Sequence, residues 1–364
     1  VVSSSKSSGK KVAILIDNGV EDAEFQVPYN GMKQAGFEVV ILGSRTNETY
    51  KGKQGQVAKQ ADATTTEAIA SEYDAVIIPG GMAPDHMRTN PNTVRFVQEA
   101  MQQGKLVAAI CHGPQVLIEG DLLQGKRATG FIAIRKDMMN AGANYLDEPV
   151  VVDGNLITSR QPGDLAIFTT AILSRLGYGG KEVALPEEND TSAEWWKIAD
   201  AWGGSTKGDI VKGINTALAG ERYSLEALEK YTEKESDAQI KSVFQEMITN
   251  KQRHILKLET YLDRLGEKPS LAANIANQYA KVKTAMTGSD DIYQLRSALG
   301  DVQTGIGDIG NLFPKYTDPV ATAIFTEILH DLQACEQRLV QLYRAKVGSD
   351  VKPAKPTTGA AVQM

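Results

Sequence analysis

Cysteine is nearly missing from this 364-residue chain, which has two, Cys111 and Cys335. Two thiols so far apart in sequence make no disulfide framework, so a reducing compartment is expected and the cytoplasm is the default. Histidine is almost as scarce, at four residues, which leaves few candidates for a base beside a nucleophile. No apolar run approaches the roughly 20 residues that span a bilayer, and no membrane partner is expected. An excess of positive charge is absent too: the net charge is −6, which argues against general nucleic-acid or anionic-membrane binding. The opening VVSSSKSSGKK has no apolar signal core, and residues 1–10 read as a disordered arm. What is present is average for a soluble globular protein, 42% apolar and 23% charged, with length enough for two domains.

The chain has two grammars. Residues 11–178 alternate short β-rich runs (Val12–Asp17, Glu38–Gly43, Ala75–Gly80, Leu106–Cys111) with helical stretches at Glu24–Ala35 and Asn92–Gln103. Continuous apolar strands separated by helices predict a parallel sheet covered on both faces. VVVDGNLIT predicts a hairpin turning at Asp153-Gly154, and a last helix is expected over Asp164–Leu176. Residues 179–206 read as a linker, with Trp195, Trp196 and Trp202 on a short helix docked on one domain. Residues 207–346 carry four amphipathic stripes, which predict an up-and-down four-helix bundle. The stripes are Val211, Ile214, Leu218, Leu225 and Leu228; Ile240, Val243, Met247, Leu258 and Leu265; Ile292, Leu295, Leu299, Val302, Ile306 and Ile309; and Phe325, Leu329, Leu332, Leu339 and Leu342. Breaks are expected at Gly266–Pro269, Thr287–Asp290 and Pro314–Pro319. Residues 347–364 read as a disordered tail.

LVAAICHGP, residues 106–114, carries most of the chemistry. A buried strand turns sharply into a helix with Cys111 at the bend, followed by Gly113 for room and Pro114 for the first helical turn. Such a bend is expected to expose the thiol at a helix N-terminus, where N–H groups favour a thiolate. His112 can serve as its base. No histidine follows His112 in this half of the chain, which argues against the glutamine-amidotransferase arrangement with a distant His-x-Glu pair. IIPGGMAPD places Gly80 and Gly81 at a second strand end, where paired N–H groups can face an oxyanion. DNGVEDAE, residues 17–24, follows the first strand, and its acidic residues suit either a helix start or proton transfer at a thiol. In an open α/β sheet all three loops lie at the carboxyl ends of strands, where ligands bind.

The segments GVEDAEFQVP, IIPGGMAPD, AAICHGPQVL and VVVDGNLITSRQPGDL, in this order, resemble the PfpI/ThiJ superfamily of intracellular cysteine peptidase-like proteins and deglycases. The resemblance covers about residues 10–178. It implies a flavodoxin-like α/β sandwich with Cys111 as nucleophile and His112 beside it. Gly81 and His112 N–H groups match the oxyanion hole, and Glu24 matches the glutamate that contacts the thiol, with Glu21 as a second acidic position. Two departures stand out. Asp85 occupies a position where peptidase-like members often carry Glu, reaching the histidine from a neighbouring subunit. Phe131 stands where a tyrosine often lies, and with Met82 it is expected to line the substrate pocket. Both changes tilt the expectation from peptides toward aldehydes and glycation adducts. The resemblance also implies a homo-oligomer, and no cofactor is expected.

The second half resembles ferritin-like bundles by helix pattern. A dinuclear metal site there needs a Glu from two helices and Glu-x-x-His from two others. Glu221, His254, Glu327 and His330 are the candidates, but Lys251 stands three residues before His254, so no metal site is expected. Three readings of the chain remain: a cysteine enzyme acting on electrophilic carbonyls, a redox sensor or stress chaperone built on Cys111 oxidation with the bundle as effector or oligomerisation element, and a scaffold with a vestigial elbow.

Overall fold

The computed structural model describes residues 9–178, 185–270 and 292–348. The chain divides into two compact units, Val1–Thr206 with Thr317–Pro319, and Lys207–Tyr316 with Val320–Met364.

The first unit opens with β1 (Lys11–Leu15), α1 (Asp22–Gln34) and β2 (Glu38–Gly43), then the small strands β3 (Thr49–Lys51), β4 (Ala58–Gln60) and β5 (Ala63–Thr64). It continues through β6 (Ala75–Ile78), α2 (Ala83–Arg88), α3 (Pro91–Gln102), β7 (Leu106–Ile110) and α4 (Pro114–Glu119). The remainder is β8 (Arg127–Ala128), α5 (Arg135–Asn140), β9 (Asn144–Tyr145), β10 (Val150–Asp153), β11 (Leu156–Ser159), α6 (Leu165–Arg175) and α7 (Trp195–Ala201).

Seven strands form one sheet in the order β10-β11-β7-β6-β1-β2-β5. All neighbours run parallel except the edge strand β10. Ile14 pairs with Ile41 on one side and Ile77 on the other, and Ala108 continues the row to Ile157. These strands are buried almost throughout, the reason their sequences are apolar runs rather than alternations. This is the flavodoxin-like sandwich expected. The chain moves outward from β1 to β2 and then in the other direction through β6 and β7, so the direction reverses between β1 and β6. That crevice is where such sheets bind ligands.

Local chemistry sets the element ends. Asn90 caps α3 by accepting from the Asn92 N–H at 3.0 Å, and Pro91 occupies its first turn. The strands stop at Leu15, Ile78 and Ile110, two, two and one residues before the ends expected from apolar runs. The chain leaves the ladder there, which frees Asp17, Gly80 and Cys111 for the site. In the hairpin, Asp153 still pairs with Leu156. The turn is therefore Gly154-Asn155, one residue later than expected, and Gly154 takes the left-handed conformation at φ +62°.

α6 is buried from Leu165 through Leu173, because α7 and the segment after it cover part of it. Trp195 packs with Ala166, Ile167 and Ala199. Trp202 joins the main core, where its carbonyl accepts from the Asn30 side chain at 2.9 Å.

The second unit is helical: α8 (Lys207–Lys234), α9 (Ala238–Arg264), α10 (Tyr293–Leu312) and α11 (Pro319–Val347) among the described residues. Asp237 caps α9, accepting from the N–H groups of Gln239 and Ile240. Ile214, Leu218, Leu228, Ile240, Met247, Leu258, Leu295, Leu299, Val302, Phe325, Leu332 and Leu339 are buried as the stripes required. Ile210, Ile328 and Tyr343 take core positions while Val211, Leu329 and Leu342 are only half-buried. A face of 3.6 residues per turn is wider than a one-per-turn stripe and includes such neighbours. The break expected at Thr287–Asp290 lies outside the described residues. No described helix is long and apolar enough to cross a membrane.

Candidate active site

β1, β6 and β7 are neighbours, so the loops at their carboxyl ends meet. Val20 and Gly81 form an isolated antiparallel bridge, flanked by Met82 N–H donating to Gly19 O at 2.8 Å and Glu21 N–H to Gly80 O at 3.3 Å. Gly81 has φ +77°, and a Cβ there would lie 2.4 Å from Glu21 N. Only glycine permits this approach.

Cys111 takes φ +60°, a strained conformation for a side-chain-bearing residue. Its backbone is held from both sides: Cys111 N–H donates to Ser159 O at 3.0 Å, and Phe131 N–H donates to Cys111 O at 2.9 Å. Gly113 N–H closes the bend onto Ile110 O at 2.8 Å, and a Cβ on Gly113 would meet Ile78 O at 2.4 Å. Sγ lies 3.4 Å from His112 Nδ1. The expectation of an exposed thiol is corrected, since Cys111 is only 7% exposed. Burial pushes the thiol's proton affinity up, and the neighbouring Glu24 adds to this when ionised, against the His112 backbone N–H. The helix end alone does not set its ionisation.

Glu24 is the carboxyl beside the thiol. It sits in the first turn of α1 and is completely buried. Oε2 accepts the Gly80 N–H at 2.7 Å. Oε1 has no hydrogen-bond partner among the nitrogen and oxygen atoms of the described residues, and the carboxyl faces the Cys111 thiol. Burial first, and then the charge of Glu21, push its pKa up to about 8. Glu24 is therefore a carboxylic acid at neutral pH, able to offer its proton to sulfur.

The Gly80 N–H is thus taken by Glu24, which removes it from the expected pair of oxyanion donors. Gly81 and the His112 N–H beside the sulfur are left. In the narrow Val20–Gly81 pair the flanking residues exchange the hydrogen bonds, which turns the Gly81 N–H away from the bridge. The His112 ring packs on Phe131, with centroids 5.1 Å apart. Burial lowers the His112 pKa, Asp85 opposes that and Lys53 adds to it. Asp85 is exposed on α2, and Met82 is 59% exposed at the site's edge.

Two features escaped the sequence reading. Lys53 Nζ lies 3.7 Å from Glu21 Oε2, and Glu21 is itself raised by burial and lowered by Lys53. The loop carrying Lys53 is bolted to the start of α1 by the buried Asp22, which accepts the N–H groups of Gln54 and Val57 at 2.6 Å each. A Cβ on Gly52 would lie 2.2 Å from Asp22 Oδ1. Nothing in the spacing of Gly52-Lys53-Gln54-Gly55 announces a partner some thirty residues away.

In the second unit Glu221 and His254 are buried together, with Nδ1 and Oε2 2.8 Å apart. Lys251 Nζ bonds Glu221 Oε1 at 2.7 Å. On α11, Glu327 faces this cluster but His330 is exposed. Asp331, one turn after Glu327, takes the place expected of His330, with Oδ2 2.8 Å from His254 Nε2. An i, i+4 carboxylate pair was the available signal.

Residues 10–175 match the family model described as the DJ-1/PfpI family, and residues 209–303 match a domain of unknown function, DUF2383. The chain is similar to general stress protein 18 of Bacillus subtilis, at 41% identity over 169 residues, covering 46% of this chain and 98% of that protein. It is equally similar to protein/nucleic acid deglycase 2 of Escherichia coli, at 41% identity over 46% of this chain and 98% of that protein. A crystal structure of a two-domain protein from Anabaena variabilis, containing DJ-1/ThiJ/PfpI-like and ferritin-like domains, superposes with a TM-score of 0.92. It is 79% identical, covering 96% of this chain and 100% of that one.

Proposed function

The chain belongs to the DJ-1/PfpI family through its first unit, and we propose from this premise that it is a cysteine-dependent enzyme acting on small electrophilic carbonyls, of the glyoxalase or deglycase type. The observation that carries the reading is the pairing of a strained, backbone-clamped Cys111 with a buried Glu24 whose pKa is pushed up to about 8. A hydrolase needs both a nucleophile and a nearby group that can give and take a proton near neutral pH.

In the proposed reaction the sulfur, its proton passed to His112 or solvent, attacks the aldehyde carbon of methylglyoxal. A C–S bond forms, and the carbonyl electron pair moves to oxygen, where the N–H groups of Gly81 and His112 receive it. Protonation of that oxygen gives a hemithioacetal. Glu24, its own proton given to that oxygen, takes the hydrogen from the former aldehyde carbon and returns it to the adjacent carbon, while the hydroxyl proton passes from the first oxygen to the ketone oxygen, leaving a thioester. Water then cleaves the C–S bond, releasing lactate and restoring the thiol, so that methylglyoxal and water balance the product. For a glycation adduct the same attack precedes loss of the amine.

Phe131 has no hydroxyl to assist a peptide leaving group, and Asp85 is a methylene shorter than the glutamate of peptidase-like members. Both favour aldehydes and adducts over peptides. A homo-oligomer and a cytoplasmic location are part of the same proposal. Cys111→Ala tests the reading directly: methylglyoxal consumption, followed with lactate formation, is expected to fall by at least about a thousandfold. Full activity in the variant would overturn it.

A further inference from the structure

Bundles with ferritin-like helices hold dinuclear metal centres through a Glu from each of two helices and a Glu-x-x-His from each of the other two. The donor set of this chain does not fit that centre. Where the second helix needs a carboxylate it has Lys251, whose ammonium bonds Glu221 with both side chains nearly inaccessible, 5% and 6% exposed. Glu221 is therefore already neutralised, and its two oxygens are spent on Lys251 and His254.

The other half of the cluster is arranged differently. His254 is held by Glu221 at Nδ1, which fixes the ring and turns Nε2 toward α11. There Nε2 meets carboxylate oxygens of Asp331 and Glu327, and the three ligand atoms all lie within 4.8 Å of one another. A carboxylate behind one ring nitrogen orients a histidine for metal binding at the other, and that other nitrogen, Nε2, lies 2.8 Å from Asp331 Oδ2. His254 is buried, while Asp331 and Glu327 are 29% and 32% exposed, so the ligand set opens to solvent on one side.

The two carboxylates are held by Arg253, through Nε to Glu327 and Nη2 to Asp331, and by Lys257 Nζ to Glu327. These cations are themselves 43% and 44% exposed. Ion pairs of such exposed side chains are weak and can be exchanged. One dication on a neutral imidazole and two carboxylates would make a neutral centre, and this ligand set suits zinc, cobalt, manganese or ferrous iron.

We propose that the second unit binds a single divalent transition-metal ion through His254 Nε2, Asp331 and Glu327, with Lys251 replacing the second metal of a dinuclear centre. Glu221 is the positioning residue behind His254, and Arg253 and Lys257 are the cations that the metal displaces.

The test uses the full chain carrying Cys111→Ala, stripped with chelator, so that the reactive thiol takes no metal. Co(II) is titrated by visible absorption and Zn(II) by competition calorimetry. Saturation at one equivalent per chain is expected, with binding weakened at least tenfold in His254→Ala and in Asp331→Asn. The surface double substitution Arg253→Gln with Lys257→Gln is expected to tighten binding several-fold. It leaves the buried cluster intact, so it decides the matter if His254→Ala fails to fold. No saturable binding, saturation at two equivalents, or affinity unmoved by both Asp331→Asn and the double substitution would overturn the proposal.

Discussion

A single proton distinguishes the two residues at the centre of the first unit. Glu24 has no solvent and one backbone donor, so its pKa rises to about 8, and below that pH it can hydrogen-bond to the sulfur as an acid. Above that pH it ionises beside the thiol and opposes the thiolate. The alkylation rate of Cys111 with iodoacetamide is therefore expected to rise less steeply than a one-proton curve above about pH 8. Glu24→Gln, which cannot ionise, should restore the one-proton curve. Stability follows the same group with a definite sign. A carboxyl whose folded pKa lies above its unfolded value of 4.5 holds its proton more tightly when folded. Its contribution is full below the unfolded pKa and is lost as pH rises to about 8. Glu24→Gln should thus be more stable than the parent at pH 9, by an amount on the order of a few kcal/mol. The gap in urea denaturation should close toward pH 4; a gap that stays constant with pH would remove this account.

Among the elements, the loop between β3 and β4 shows how a local turn becomes part of the site. Its backbone N–H groups at Gln54 and Val57 end on Asp22, and Lys53 is presented between them and Glu21. Charge-assisted bonds of this kind contribute about 1.5–3 kcal/mol each, and removing a shared acceptor leaves its donors unpaired. Asp22→Ala removes both bonds and is expected to cost ~3–6 kcal/mol in chemical denaturation. With Lys53 released, the Cys111 alkylation profile should also move, because Lys53 acts on Glu21, Glu24 and His112 alike. An unchanged profile would mean that Lys53 needs no fixed loop. The helical stripes were legible in the sequence because their apolar residues repeat at three or four, and the β-rich runs because burial on both faces makes them continuous apolar stretches. Asp22, Lys53 and Asp331 were not, since their partners lie on other elements and no spacing encodes them.

For the molecule as a whole, general stress protein 18 and deglycase 2 match less than half of the chain, yet nearly their whole length is covered. The first unit here extends beyond that match, through α7 and Trp202, over a helix α6 that is buried along its length. Gly31 is part of this packing, because a Cβ there would lie 2.7 Å from Thr169 Cγ2 and 3.4 Å from the Trp202 ring. Burying a tryptophan is worth ~3–5 kcal/mol against its removal. A chain ending at Tyr178 should therefore unfold roughly 5–15 °C below one ending at Thr206, measured by circular dichroism. Equal melting temperatures would show that this cover adds nothing.

By itself the sequence determined the alternation of strand and helix, the strand-to-helix bend at Cys111, the glycine pair and the helical second half. Each of these is a short-range pattern, set by side-chain periodicity and by the few residues that tolerate a sharp turn. Only the tertiary structure decided which of those groups act. It buried the thiol that the bend was expected to expose, gave the Gly80 N–H to Glu24, and put Asp331 rather than His330 against His254. Desolvation and contacts across the sheet and between helices depend on what the rest of the chain brings to a point, and no stretch of sequence contains that information alone.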